Sequence, residues 1–317
     1  MSHIRINEID REYTPPPTKI IGVGDSGCMV VDRLVKEGFN ADDCVMVDST
    51  LEYWSESRCS IKIALADSKP HRGLDYSNNP VWCHEAAIAS ADIIKGHLDG
   101  SALNVIVAGM GGGIGTIAGP VIAGISKAMG AVMIAVISKP FLFEGKRRLD
   151  KALAGIEEMK KAADMTVLIP YDRLKEMLSP GTTIKGVFEI ASKTLKSCVK
   201  EVHGLVTRKS GAIDGDFESK KPFLQNAGLS YIGFGSGNNM KEAMEKAMSC
   251  PLLGDVNLHR AGTIFVIINA VSNTILADIH KALDLLVVAI HNDETSIAFD
   301  VTFGDEVGVF LIAAASH

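Results

Sequence analysis

The 317 residues carry 32 Lys and Arg against 38 Asp and Glu, a net charge of −6, with 47% hydrophobic residues. With no long basic run, the counterion release that drives nucleic-acid binding has no source, which argues against DNA or RNA as a partner. The apolar stretches are broken by Gly, Asn, Asp or Lys short of the roughly 20 residues a bilayer span needs, which argues against membrane insertion.

Residues 1–18 are polar and end in Pro15, Pro16 and Pro17, a composition that favours an extended, flexible arm. This segment lacks a basic head followed by an apolar run, so no secretory signal is read and a cytoplasmic protein is expected. From Lys19, β-branched runs alternate with helical patterns. KIIGVG precedes a helix from about Gly27 to Lys36, followed by CVMVDS and IKIAL. A helix near Val81 to His97, the strand LNVIVAG, a helix from Thr116 to Met129, AVMIAVIS, a helix from Gly145 to Lys161, and MTVLIP complete the series. Such alternation implies βαβ units and a parallel sheet covered on both faces, with ligands at the carboxyl ends of its strands.

After Pro180, apolar residues at Ile184, Phe188, Ala191, Leu195, Val199 and Val202 predict one long buried helix over Thr183 to His203. YIGFG, TIFVIINA, SIAFDVTF and VGVFLIAAA then predict a second α/β domain with a mixed or antiparallel sheet, its last two strands joined as a hairpin through Gly304, Asp305 and Glu306. The expected organisation is an arm (1–18), a Rossmann-like parallel domain (19–180), a central helix (181–204) and a second domain (205–317). Six cysteines lie far apart with no CxxC pair, which argues against a disulfide framework or a zinc site and predicts buried thiols and no structural metal.

Two glycine-rich loops follow strands. Gly22-Val23-Gly24-Asp25-Ser26-Gly27 fits GxGxxG, and Asp48 ends the next strand. Alone, these residues read as a dinucleotide site, with a pyrophosphate on a helix amino terminus and a carboxylate on a ribose. The second loop, Gly109-Met110-Gly111-Gly112-Gly113-Ile114-Gly115-Thr116, has no place in that reading. So dense a run of glycines costs backbone entropy and implies a tight wrap whose N–H groups face an anion. No Gly-Lys-Ser/Thr follows, so it is not a Walker loop.

AGMGGGIGT resembles the signature loop of the tubulin/FtsZ superfamily, and SKPFLFEGKRR resembles the ribose-contacting loop of bacterial FtsZ. KIIGVG, the Gly73-Leu74 and Asn79-Pro80 pairs, IPYDRL and SCPLL extend the similarity from Lys19 to Ala315. The resemblance implies the tubulin/FtsZ fold: a GTPase domain, a central helix and an activation-type second domain. It also implies GTP or GDP as ligand with Mg2+ as the accompanying ion, and self-association head to tail into a filament with low GTPase activity. A second FtsZ-like protein is an alternative partner. Carried over, the phosphate contacts fall on Gly24, Asp25, Ser26, Gly111, Gly112, Gly113 and Gly115, with Thr116 beside them. Glu144 and Arg148 correspond to ribose and phosphate contacts, and Phe188 to an aromatic that stacks on the base. Asp214 and Asp216 match an interface motif whose carboxylates orient the attacking water in the neighbouring subunit.

The departures cluster at the site. Asp25, Ser26 and Cys28 replace glycines, and Ile114 replaces a threonine that reaches the γ-phosphate. Met29 and Tyr171 replace asparagines, and Lys193 is aligned with the acidic residue that accepts guanine's protons. Ser219 replaces the second interface aspartate, with Glu218 as its substitute. The chain stops at Ser316-His317, where cell-division FtsZ proteins continue into an adaptor-binding tail. Three readings follow: a slow polymerising GTPase, a non-hydrolysing filament or scaffold protein, and a nicotinamide enzyme that leaves the second loop unexplained.

Overall fold

The computed structural model describes residues 14–50, 54–65, 79–208, 217–225, 227–254, 258–292 and 294–315. The first half alternates strand and helix: β1 (Thr18–Val23), α1 (Gly24–Lys36), β2 (Cys44–Asp48), β3 (Ile61–Ala64), α2 (Pro80–Ala89), α3 (Ala91–Leu98), β4 (Leu103–Gly109), α4 (Ile114–Ala128), β5 (Val132–Lys139), α5 (Lys146–Ala162) and β6 (Met165–Pro170). The short α6 (Tyr171–Leu174) and the 24-residue α7 (Ile184–Thr207) lead to α8 (Phe217–Gln225), β7 (Gly228–Ser236), α9 (Met240–Met248), β8 (Ala261–Ala270), α10 (Leu276–Ile290), β9 (Ser296–Phe303) and β10 (Gly308–Ala315).

The strands form one continuous sheet in the order β3-β2-β1-β4-β5-β6-β7-β10-β8-β9. The six strands from β1 to β6 are parallel, as the alternation predicted, and β7 extends them in parallel through Met165 opposite Gly228 to Val167 opposite Ser230. β10 runs antiparallel to both β7 and β8, while β9 runs parallel to β8. The mixed character of the second half is therefore as expected, but the hairpin is not. β10 inserts between β7 and β8, and the 304–307 link bonds across the end of β8, with Gly304 N–H to the Ala270 carbonyl at 2.9 Å and Asn269 Nδ2 to the Glu306 carbonyl at 2.8 Å. The interior place suits VGVFLIAAA, whose residues Val309 to Ala314 are all buried, because a strand covered on both faces needs apolar side chains on each.

Successive strand residues face opposite sides of the sheet. Ile20 and Val105 face α1 and α7, whereas Ile21 and Ile106 face the layer of α2, α3, α4 and α5. A third apolar cluster joins α9 and α10 to the inner faces of β8 and β10. The predicted single helix near Val81 to His97 is two helices that break at Ser90, whose φ of −87° and ψ of 1° leave the helical range. All six cysteines are buried and free. No helix among the described residues is long and apolar enough to cross a membrane.

α7 spans about 36 Å at the helical rise and carries Ala191, Leu195, Val199 and Val202 into the core shared by both halves of the sheet. Its first turns emerge, however, with Ile184 74% and Phe188 43% exposed, against the expectation of a helix buried along its length. Near its other end, burial and the charge of Arg208 lower the His203 pKa to about 4, with the opposing field of Asp43 too weak to offset them. A histidine held neutral in the native state binds a proton more readily when unfolded, so stability falls as pH drops from 6.5 toward 4. The loss amounts to about 3 kcal/mol when complete. Chemical denaturation of His203→Gln across this range is expected to show a markedly flatter pH dependence than the parent.

Candidate functional site

β1 passes directly into α1 at Gly24, whose φ of +70° turns the chain in a single residue that a side chain would strain. The helix starts three residues before the predicted Gly27, so the first glycine loop is itself the first turn of α1. Val23 caps that helix with no side-chain hydrogen bond, which leaves the first-turn amides to the space in front of it. β4 reaches α4 through the second loop. There Gly113 occupies the cap of α4, again without a side-chain bond. Two helix amino termini, each with uncapped N–H groups and a positive dipole end, thus meet at the carboxyl edge of the parallel sheet.

The glycines of the second loop have separate duties. Gly111 has a φ of +102°, and a Cβ there would lie 2.7 Å from Arg148 Cγ. Its N–H donates to Thr116 Oγ1 at 2.8 Å, so this amide closes the loop and is spent within the protein. A Cβ on Gly112 would meet nothing within 4 Å. Neither packing nor a positive φ demands glycine at that position, and what it preserves is open space beside the α4 terminus.

Between the loops lies a cavity of about 260 Å³ walled by Gly24, Asp25, Ser26, Gly112, Gly113, Ile114 and Gly115, with Asp48, Ser49, Thr50 and Arg148 around its rim. A narrower slot of about 110 Å³ shares Ser26, Gly109 and Arg148 with it and runs back between Met29, Tyr171, Phe188, Ala191, Ser192 and Leu195. The pair offers a polar chamber for an anion joined to an apolar slot for a flat ring. Phe188 stands edge-on to Phe141 at 5.7 Å, and Phe141 stacks on Phe143 at 4.8 Å, which fixes the ring at the slot's mouth.

Charge around the chamber is mixed. Arg148 Nε pairs with Glu144 Oε2 at 2.9 Å while Glu144 Oε1 accepts the Phe141 N–H at 2.9 Å, so Glu144 holds the guanidinium at the junction of chamber and slot. Asp48, only 5% exposed, has its pKa raised, chiefly by burial and further by the charge of Asp25, against the lowering effect of hydrogen bonds from Ser49 and Trp54. Burial raises the Tyr171 hydroxyl to about 12 and leaves it a neutral hydrogen-bonding group beside Ser138.

Residues 17–179 match the family described as the Tubulin/FtsZ family, GTPase domain. The chain belongs to the tubulin/FtsZ family. Its fold is similar to an empty FtsZ dimer structure from M. jannaschii, at a TM-score of 0.86 and 30% identity over 96% of this chain and 89% of that one. The W319Y mutant of M. jannaschii FtsZ gives a TM-score of 0.84 and 31% identity over 94% and 90% of the two chains. The GDP-bound monomer of CetZ1 from Haloferax volcanii shares the fold at a TM-score of 0.78 and 17% identity, over 95% and 94%.

The tubulin/FtsZ fold brings most of the expected site residues together. Gly24, Asp25, Ser26, Gly112, Gly113, Gly115 and Arg148 line the chamber, and Glu144 and Phe188 line the slot. Gly111 and Thr116 instead brace the second loop through their mutual hydrogen bond. Lys193 is not brought in. It borders a separate cleft of about 810 Å³ between α7 and the sheet of the second half, with Thr194, Ser197 and Phe310. The polar residue of α7 that faces the slot with Phe188, Ala191 and Leu195 is Ser192, four positions on from Phe188, whereas Lys193 at five positions has rotated away at about 100° per residue. Helical spacing from Phe188 is the signal that identifies Ser192 from sequence. Glu218 lies on the exposed side of α8 and pairs with Lys221 at 3.8 Å, while Lys220 beneath it donates to the Leu205 carbonyl at 2.7 Å and ties α8 to the end of α7. Asp214, Asp216 and the Gly73-Leu74 pair lie outside the described residues.

Proposed function

We propose that this chain binds GTP across the chamber and slot and assembles head to tail into filaments, with slow hydrolysis completed at the subunit interface. The observation that carries the reading is the convergence of the uncapped starts of α1 and α4 on one chamber, with Gly112 leaving the approach open. Amides at two helix termini bind phosphate oxygens without protonation, and Arg148, held by Glu144, adds one positive charge where phosphate and sugar would join. The slot would receive the base.

Any Mg2+ would be carried mainly by the phosphates, since the described residues contain no cluster of three His, Cys, Asp or Glu side chains. Asp25 and Asp48 are hard oxygen donors suited to complete its shell, and the ion would offset their repulsion of the phosphates. Ile114 offers no hydroxyl to the terminal phosphate, which fits slow chemistry. Apolar side chains exposed beside Phe188, with Phe143 against its ring at 6.3 Å and Ile184 one helical turn before it, supply a face for a second copy to cover. In that arrangement Asp214 and Asp216 of the covering copy, with Glu218, would orient the attacking water.

Ile114, which puts an apolar side chain into the chamber, favours a second reading, a filament that forms without turnover. Sedimentation and phosphate release separate the two. Polymer that depends on GTP and releases phosphate supports the GTPase, whereas equal pelleting without nucleotide and no phosphate release supports the scaffold.

A further inference from the structure

We propose, resting on the nucleotide reading above, that Ser192 backed by Arg33 is the base-reading residue and that the slot admits guanine and adenine nucleotides alike. A base has to occupy the slot because the slot joins the phosphate chamber at Ser26, Gly109 and Arg148 and closes on apolar side chains. Most of its polar side chains are committed elsewhere. Glu144 is held between Arg148 and the Phe141 amide, and Tyr171 is paired with Ser138. Ser192 Oγ accepts a 2.5 Å hydrogen bond from Arg33 Nη1, which reaches it from α1 behind the slot.

That bond sets the polarity of the contact. The guanidinium occupies one lone pair of the hydroxyl and places a positive charge behind it, which weakens the remaining lone pair as an acceptor and strengthens the O–H as a donor toward the base. Guanine presents N1–H and 2-amino donors where adenine has a ring acceptor and a C–H, and a site selects that adjacent donor pair with an acceptor, best a carboxylate. The slot's carboxylate, Glu144, is spent on Arg148, and Ser192 offers a neutral hydroxyl whose accepting power Arg33 lowers. Both purines keep ring acceptors that a donor can meet, and the aromatic edge of Phe188 does not distinguish them.

The experiment is a competition titration of nucleotide-free full-length protein, in which GTP or ATP displaces a fluorescent GTP derivative. For the parent, the two dissociation constants are expected within about tenfold of each other. Ser192→Asp, in which Arg33 supports one carboxylate oxygen and leaves the other free to accept, is expected to move the ratio toward GTP by about tenfold or more. Ser192→Ala is expected to weaken both nucleotides by a similar factor at an unchanged melting temperature, which separates the lost contact from a loss of folding. A parent preference for GTP beyond about a hundredfold, or an unchanged ratio in a folded Ser192→Asp protein that still binds, overturns the inference while leaving the nucleotide site intact. Failure of the fluorescent nucleotide to bind at all overturns the nucleotide reading and this inference with it.

Discussion

Replacing Gly112 by Val is expected to lower nucleotide affinity by about a hundredfold or more while leaving the thermal midpoint unchanged. A Cβ at this position meets no protein atom within 4 Å, so the branched side chain starts in open space and the backbone need not shift. The same volume would occupy the approach to the amides of Gly113, Ile114 and Gly115, where a phosphate oxygen must come within hydrogen-bond distance. Each charge-assisted bond lost contributes about 1.5–3 kcal/mol, and losing two accounts for a hundredfold. The neighbouring Gly111→Val gives the contrasting control. Its φ of +102° and the 2.7 Å approach of Arg148 Cγ make that substitution destabilising by about 2–4 kcal/mol, so it lowers the melting temperature as well as affinity. Thermal scans and nucleotide titration on the two variants separate a ligand-imposed glycine from a fold-imposed one.

Asp25→Asn is expected to strengthen nucleotide binding. The side chain lines the chamber proposed to hold the phosphates, and a carboxylate about 4 Å from one phosphate charge costs about 1 kcal/mol at the screening of water and about 4 kcal/mol at that of a partly desolvated site. Because Asp25 is exposed, the lower half of this range applies, and the gain is about tenfold. A divalent cation between carboxylate and phosphate removes the penalty, so the gain is expected to be greatest in EDTA and to shrink when Mg2+ is added. Titrations in both conditions check this, and an affinity that falls in the Asn variant without Mg2+ would show that the carboxylate is not a repulsive element.

The parallel half of the fold was legible because each of its strands is a short β-branched run followed by a helix of ordinary length, which leaves one sheet type available. The arrangement of β9 and β10 was not. The Gly304-Asp305-Glu306 link has the composition of a tight turn, and only the carbonyls and amides at the end of β8 show that it crosses a strand instead of pairing its neighbours. The glycine loops pointed to the chamber, since so dense a run costs backbone entropy and implied a tight wrap at the strand ends. The division of labour among those glycines depends on atoms from distant elements, such as Arg148 against Gly111, and could not be read locally. Lys193 illustrates the cost of alignment without helical phase: one residue of offset on α7 moves a side chain from the slot into a different cleft. Ser192 gained its meaning only from Arg33, 159 residues away in sequence.

The most direct measurement is a crystal structure of the chain bound to a non-hydrolysable GTP analogue. The expected map has the phosphates between Gly24–Ser26 and Gly112–Gly115, with the base beside Phe188 and Ser192 and a second copy over the mouth. A map in which a side chain fills the space in front of Gly112, or in which the analogue binds elsewhere while the two loops hold no anion, would contradict the account.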